Sequence, residues 1–294
     1  MTEPTTHTIA VPGAVLAYDV REPATPSDHR PLFVFGSPMA ASGFSQLVSH
    51  LDDRTVITYD PRVSERSRLE EAADVSYEAH ADDVHRVVES TGLGPLDAFA
   101  SSGGAVAALA WALAHPEEIG TVVAHEPPLT TLLEDRDMVE RVIADIVATY
   151  RRKGIGPAMA KFIQLVMHEG PLPDDYLDRP APEPAQFGLS AEDDGRRDDA
   201  LLGRNLTMPA YHPDGDALRT SRVRIVPAVG ATSGGTMPRR GGEALAAMLG
   251  VEAVTFPGDH GGFMVNEWSP QNDPAAFAGR LRQLLDAGAV RGVG

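Results

Sequence analysis

The sequence predicts an α/β architecture: a mostly parallel central sheet flanked by helices, with a helical cap inserted after the sixth strand. Three observations carry this. Short apolar runs of strand length alternate with helix-like segments along residues 31–125 and again along 223–287. Parallel strands need crossover connections, and helices usually supply them. Between about residues 130 and 220 the strand-like runs stop, and amphipathic stretches replace them. Finally, a Ser-Gly-Gly turn separates one strand-like run from an alanine-rich helical one.

The elements follow in order. Residues 7–22 read as two strands around the turn Pro12-Gly13. Residues 31–36 are a short apolar run stopped by Gly36, which suits a buried strand. A short helix over 43–51 and a strand over 55–60, ended by Pro61, come next. Residues 76–91 fit a helix with Val84, Val87 and Val88 on one side. A strand over 95–100, a helix over 103–115 and a strand over 121–125 complete the first half. The second half is a strand (223–230), a helix (240–249), a strand (251–256) and a helix (273–287).

In the interruption, residues 134–152 carry Met138, Val139, Val142, Ile146 and Tyr150 at helical spacing. Residues 157–168 repeat the pattern with Met159, Phe162, Ile163, Val166 and Met167. The proline-rich, acidic stretch 171–199 reads as loop, and 201–211 as another short helix. The expected division is a core of 1–129 with 221–294 and a helical cap, or lid, of 130–220. A cap so placed lies over the carboxyl end of the sheet, where open α/β sheets bind ligands.

Composition narrows the function. The chain has 294 residues and a net charge of −17, which phosphate backbones and anionic membranes repel. Nucleic acid and membrane partners are therefore not expected, and a homo-oligomer is left open. With no cysteine, disulfides, thiolate nucleophiles and thiolate metal sites are excluded. The first residues lack the basic stretch and apolar core of a secretion signal, and no run reaches the ~18–20 apolar residues of a membrane span. A cytoplasmic protein is expected.

The run Ala100-Ser101-Ser102-Gly103-Gly104 sits at a strand-to-helix junction. This is the small-x-Ser-x-Gly pattern of a nucleophile elbow, whose sharp turn excludes large neighbours. Ser102 is at its centre, and the helix dipole favours negative charge developing there. The plain alternative is an N-cap serine. His260 lies between Asp259 and Gly261-Gly262 just past the last strand, with no apolar run to make it a core residue. The order Ser…acid…His places a general base there.

The acid is less direct. The loop after the strand 223–230 is a common place for it, yet residues 231–240 contain no Asp or Glu. Glu126, after the strand 121–125, ends on the same edge of the sheet and can fix the tautomer of His260. The alternatives are that Glu126 caps a turn or pairs with a cation. Asp259 adjoins His260 but its side chain diverges, and Asp60 lies after an earlier strand; His125 reads as a supporting residue. Two N–H donors must face the tetrahedral oxygen. Gly103, after the nucleophile, and Ser37, in Gly36-Ser37-Pro38-Met39, are the candidates, since Pro38 has no N–H.

With Gly36-Ser37-Pro38-Met39, Tyr59-Asp60-Pro61-Arg62, the Ser102 elbow and Gly258-Asp259-His260-Gly261-Gly262-Phe263, the chain resembles the α/β-hydrolase superfamily over almost its full length. The Ser-Ser-Gly run followed by His125-Glu126 further resembles lactonases that open zearalenone, a resorcylic macrolactone. That resemblance implies a triad of Ser102, Glu126 and His260. Three departures matter: Phe35 where many members have His, Ala100 for the first elbow Gly, and the glycine-free stretch Val63-Ser64-Glu65-Arg66-Ser67.

The expected reaction is acyl transfer from a carboxylic ester or lactone, without cofactor or metal. Met39, Met159, Phe162, Met167, Met208, Phe187 and Tyr211 would give an apolar pocket, unless they are simply cap core. A small neutral substrate with an apolar body fits the charge. Carbon–carbon or thioester hydrolysis, or a binding protein with a degenerate triad, are the alternatives. The Asp193-Asp194 and Asp198-Asp199 pairs lack the spacing of a calcium loop and read as solvated.

Overall fold

A computed structural model describes residues 2–62, 64–70 and 75–289. Val63, named above, lies outside the described residues. The strands are β1 (Thr5–Val11), β2 (Ala14–Arg21), β3 (Leu32–Ser37), β4 (Val56–Tyr59), β5 (Arg68–Leu69), β6 (Leu96–Ser102), β7 (Ile119–His125), β8 (Arg224–Gly230) and β9 (Val254–Phe256). The helices are α1 (Ser45–Val48), α2 (Tyr77–Thr91), α3 (Gly103–Ala114), α4 (Arg136–Lys153), α5 (Ile155–Met167), α6 (Gly215–Thr220), α7 (Met237–Leu249) and α8 (Pro274–Ala289).

The sheet runs β1-β2-β4-β3-β6-β7-β8-β9, with β5 added on β2. From β4 through β3 to β9 every pairing is parallel; β1, β2 and β5 pair antiparallel at one edge. Chain order reverses between β3 and β6. From β3 the chain steps outward to β4, then crosses back to β6 on the other side. That switch point opens a crevice at the carboxyl ends of β3 and β6. Ser37 and Ser102 face each other across it, as paired residues of the two strands.

The side-chain period of two sorts each strand between two cores. On β3, Phe33 and Phe35 enter the cluster under α2 and α3, with Tyr59, Val84, Val87 and Trp111. Leu32 and Val34 enter the opposite one, with Phe99, Val123, Phe256, Phe277 and Leu281. All six β3 residues are buried, as expected for a central parallel strand. Ser76 caps α2, accepting a hydrogen bond from the N–H of Ala79 at 3.1 Å, and Gly92 ends the helix at φ 65°.

The helical segment follows β7, because the two-residue β5 adds a strand that the sequence reading did not count. Its main helices, α4 and α5, join Leu172 and Leu202 around a third apolar cluster that includes Leu133, Val139, Val142, Ile146 and Leu165. The expected helix over 201–211 is only a 3-10 turn, Asn205–Thr207, and α6 forms further on, capped by Asp214. Pro209 and Pro213 explain the shift: each lacks the N–H an α-helix needs inside it. Two anchors tie the segment to α7. Arg240 pairs with Asp135 and donates to the carbonyl of Gly170 at 2.9 Å. Asp135 in turn accepts the N–H of Leu172 at 2.7 Å.

Candidate active site

Ser102 ends β6 with φ 57° and ψ −130°, a region that non-glycine residues rarely occupy. The sharp turn throws its side chain out of the sheet at the N-terminus of α3. Close packing enforces the small residues beside it. A Cβ on Gly103 would sit 2.7 Å from the carbonyl oxygen of Ser37, and one on Gly104 would sit 2.6 Å from Cα of Gly36. The first turn of α3 thus rests directly on the end of β3. Gly103 is the first residue of α3, where a backbone N–H has no partner within the helix.

Glu126 follows the last residue of β7 at φ 46°, a second positive-φ residue at the same edge of the sheet. It is fully buried. Its N–H bonds the carbonyl of Ala228 at 2.9 Å, and its Oε1 accepts the N–H of Gly230 at 2.8 Å. Its Oε2 lies 2.7 Å from Nδ1 of His260. The last residue of β8 thus supplies the N–H that orients Glu126, while the loop after it has no acid of its own. Burial pushes the Glu126 carboxyl up, but the His260 hydrogen bond, with the charge that the His125 and His260 rings carry when protonated, outweighs it and holds the group down at about 2. It is an anion at neutral pH, as an acceptor for Nδ1–H must be.

His260 stands on a turn built by its neighbours. Asp259 accepts the N–H of Gly261 at 2.8 Å and Nδ2 of Asn272 at 2.9 Å, and also the hydroxyl of Ser269. Burial raises the Asp259 carboxyl, and these hydrogen bonds bring it below its ordinary value. Gly258 has φ 82°, and a Cβ there would meet Oδ1 of Asn272 at 2.6 Å. Asp259 is therefore a clamp for the His260 turn. The His260 side chain remains 42% exposed, toward the cleft.

The other named acids are occupied elsewhere. Asp60 accepts the N–H of Ala41 at 3.0 Å and pairs with Arg66 at 2.7 Å, tying the loop after β3 in place. Asp193 and Asp198 pair with Arg197 and Arg196. His125 is fully buried among Phe99, Phe256, Phe263 and Phe277. Burial pushes it down to about 4, so it is neutral at neutral pH. Its Nδ1 is 3.2 Å from the Ser101 hydroxyl, and its ring stacks 6.1 Å from that of His260.

One large cleft of about 1890 Å³ gathers Ser37, Ser102, Gly103 and His260. Ordinary small-molecule pockets hold about 300–1,000 Å³, so this one admits a bulky body as well as a reacting group. Met39, Phe162, Met167, Phe187, Met208 and Tyr211 line it. Met159 does not join them. It packs only against the α4–α5 cluster, whereas Phe162 touches both that cluster and the cleft. Asn205 and Trp268, which no sequence pattern marks, also line the cleft. Asn205 lies at the 3-10 turn, and only tertiary contact brings it to Ser37. No described helix is long and apolar enough to cross a membrane.

Known proteins share this arrangement of chain. Residues 32–197 match the family described as alpha/beta hydrolase fold. The uncharacterized hydrolase YraK of Bacillus subtilis (strain 168) is 31% identical over 287 residues, covering 95% of each chain. Among solved structures, a thermophilic esterase from Thermogutta terrifontis superposes with a TM-score of 0.66 at 20% identity, over 98% of this chain and 99% of that one. Carboxylesterase CesB of Bacillus subtilis gives 0.65 at 13% identity, over 99% and 93%. The structures establish the likeness of fold; the family match and the identity to YraK over nearly the whole chain place this protein in the α/β-hydrolase family of hydrolases.

Proposed function

We propose that the protein is a serine hydrolase that cleaves a carboxylic ester or lactone through an acyl-enzyme. The observation that carries this reading is the 2.7 Å contact between the buried Glu126 carboxylate and Nδ1 of His260, at a cleft that also holds Ser102 on its strained turn. In this reading Glu126 fixes the tautomer in which Nδ1 bears the proton and Nε2 is free to accept one. Ser102 Oγ attacks the carbonyl carbon and gives its proton to Nε2. The oxyanion is held by the N–H groups of Gly103 and Ser37. As the tetrahedral adduct collapses, the imidazolium passes that proton to the leaving alkoxide. Water then enters, loses a proton to Nε2 and attacks the acyl carbon, which releases the acid and restores Ser102.

The cleft lining favours a neutral substrate with a bulky apolar body, which the net charge of −17 also favours over an anion. Macrolactones such as zearalenone belong to that class, and the Ser102, Glu126, His260 order supports testing them first. Residues 130–220 act as the cap in this reading, and the enzyme works in the cytoplasm without nucleic acid or membrane. The esterase names of the solved relatives agree with the reaction class. The test is a fluorophosphonate probe with the modified residue mapped by mass spectrometry. Labelling at Ser102 that disappears in Ser102→Ala supports the proposal. A folded protein that takes no label overturns it.

A further inference from the structure

Three metal-ligating side chains meet outside the cleft. Among the described residues, His85, His115 and Glu118 are the one group of three such side chains whose donor atoms all lie within 4.8 Å of one another. None of them lines the cleft. His85 stands on α2, His115 ends α3 as its C-cap, and Glu118 immediately precedes β7. Their side chains are 23%, 27% and 17% exposed, fixed by packing yet reachable from solvent. A surface hollow of about 340 Å³ adjoins them, lined by His85 and Glu118 and by the further acids Glu89 and Glu117.

The donors are partly pre-arranged. Nδ1 of His85 lies 2.6 Å from Oε1 of Glu118. The other oxygen, Oε2, accepts Nε1–H of the buried Trp111 at 2.7 Å, which fixes the carboxylate as the outer partner of a metal ligand does. Glu118 N–H bonds the carbonyl of His115 at 3.2 Å and closes the turn that carries both. The His115 ring stacks on that of His85, with centroids 3.7 Å apart and planes at 6°. Imidazole lone pairs lie in the ring plane, so parallel rings must turn before both meet one ion. His115 can turn: its Nδ1 is 3.8 Å from the Glu117 carboxylate, too far for a hydrogen bond that turning would break.

We propose that His85, His115 and Glu118 bind a divalent transition-metal ion, zinc foremost, which clamps α2 and the end of α3 to the start of β7. Two imidazoles and one carboxylate suit zinc, whereas calcium and magnesium take oxygen ligands. The proton between His85 Nδ1 and Glu118 Oε1 passes to solvent as the ion enters. The ion spreads these two atoms to about 3.3 Å, the edge of a zinc tetrahedron, and draws in a nitrogen of His115. Glu117 or water takes the fourth position. The site stabilises the fold and takes no part in the ester chemistry. The twelve residues of α3 hold it about 18 Å from the Ser102 elbow.

The experiment titrates tag-free full-length protein, stripped with EDTA and dialysed, with zinc chloride at pH 7.5 in a calorimeter. One site per chain is expected, with a dissociation constant of about 10 µM or tighter. Zinc at tenfold excess over that constant should raise the unfolding midpoint by about 2 °C or more. His85→Ala, His115→Ala and Glu118→Gln each weaken binding by about tenfold or more, and the double variant His85→Ala with His115→Ala loses both the site and the shift in midpoint. A parent protein that binds no zinc in this range overturns the proposal, and so does binding unchanged in the double variant. Should these variants not fold, X-ray absorption of the zinc-loaded parent decides. Two imidazoles and oxygen donors around the ion support the site, and any other donor set overturns it.

Discussion

Glu126 reaches His260 from the strand next to that of Ser102, and it does so with both carboxylate oxygens committed: Oε2 to His260 Nδ1 at 2.7 Å, Oε1 to the N–H of Gly230 at 2.8 Å. Glu126→Gln keeps the shape and removes the charge, and its amide then presents a donor or a neutral acceptor to Nδ1. If the serine hydrolase reading holds, kcat falls by on the order of 10³-fold or more. The unfolding midpoint and the circular dichroism spectrum bear on whether the loss is local. Ester hydrolysis at the parent rate would remove Glu126 from the reaction.

Gly104 tests the elbow by packing. A Cβ there would meet Cα of Gly36 at 2.6 Å, backbone against backbone, with no flexible side chain to yield. Gly104→Ala must lift α3 from β3 and is expected to cost about 1–3 kcal/mol, the usual range for overpacking. Urea unfolding measures this. A variant as stable as the parent would mean that α3 sits further from the sheet.

Two buried histidines set an acid limit on stability. Burial pushes His80 down to about 3 and His125 down to about 4, from an ordinary 6.5. Between those values the unfolded chain binds protons that the native one refuses, so stability falls as pH drops through 6.5, and the loss is complete below about 4 and 3. At pH 5 each contributes a loss of about 2 kcal/mol relative to pH 7.5. Among the described residues, neither ring nitrogen of His80 has a hydrogen-bond partner. His80→Leu should therefore remove its share of the pH dependence. Equal slopes of stability against pH in parent and variant would contradict this.

The Asp135–Arg240 pair ties the helical segment to α7, with side chains 6% and 14% exposed. Arg240→Ala leaves Asp135 with its Leu172 contact but without its cation. The expected loss is about 2–3 kcal/mol, below that for breaking a fully buried pair. Hydrogen exchange should quicken first over residues 168–172, whose backbone this pair holds. Unchanged exchange there would show that the α4–α5 cluster anchors the segment by itself.

Apart from the two-residue β5 and the displaced α6, the sequence by itself determined the order of strands and helices, because short apolar runs and helical periodicity are local consequences of burial. It marked Ser102 and His260 for the same reason. A sharp strand-to-helix turn needs small neighbours, and a histidine set among glycines past a strand has no core to fill. It pointed to Glu126 as the candidate acid only by finding no acid after β8. Tertiary structure decided the rest. The alignment of β7 beside β8 puts the N–H of Gly230 on Glu126 and so aims it at His260. The seating of α5 on α4 packs both Met159 and Phe162 against the cluster but brings only Phe162 to the cleft, which spacing alone does not separate. Asn205 meets Ser37 across 168 residues, on a turn where proline breaks the expected helix. Local pattern records what each residue does to its own backbone; these contacts depend on how distant segments come to rest on one another.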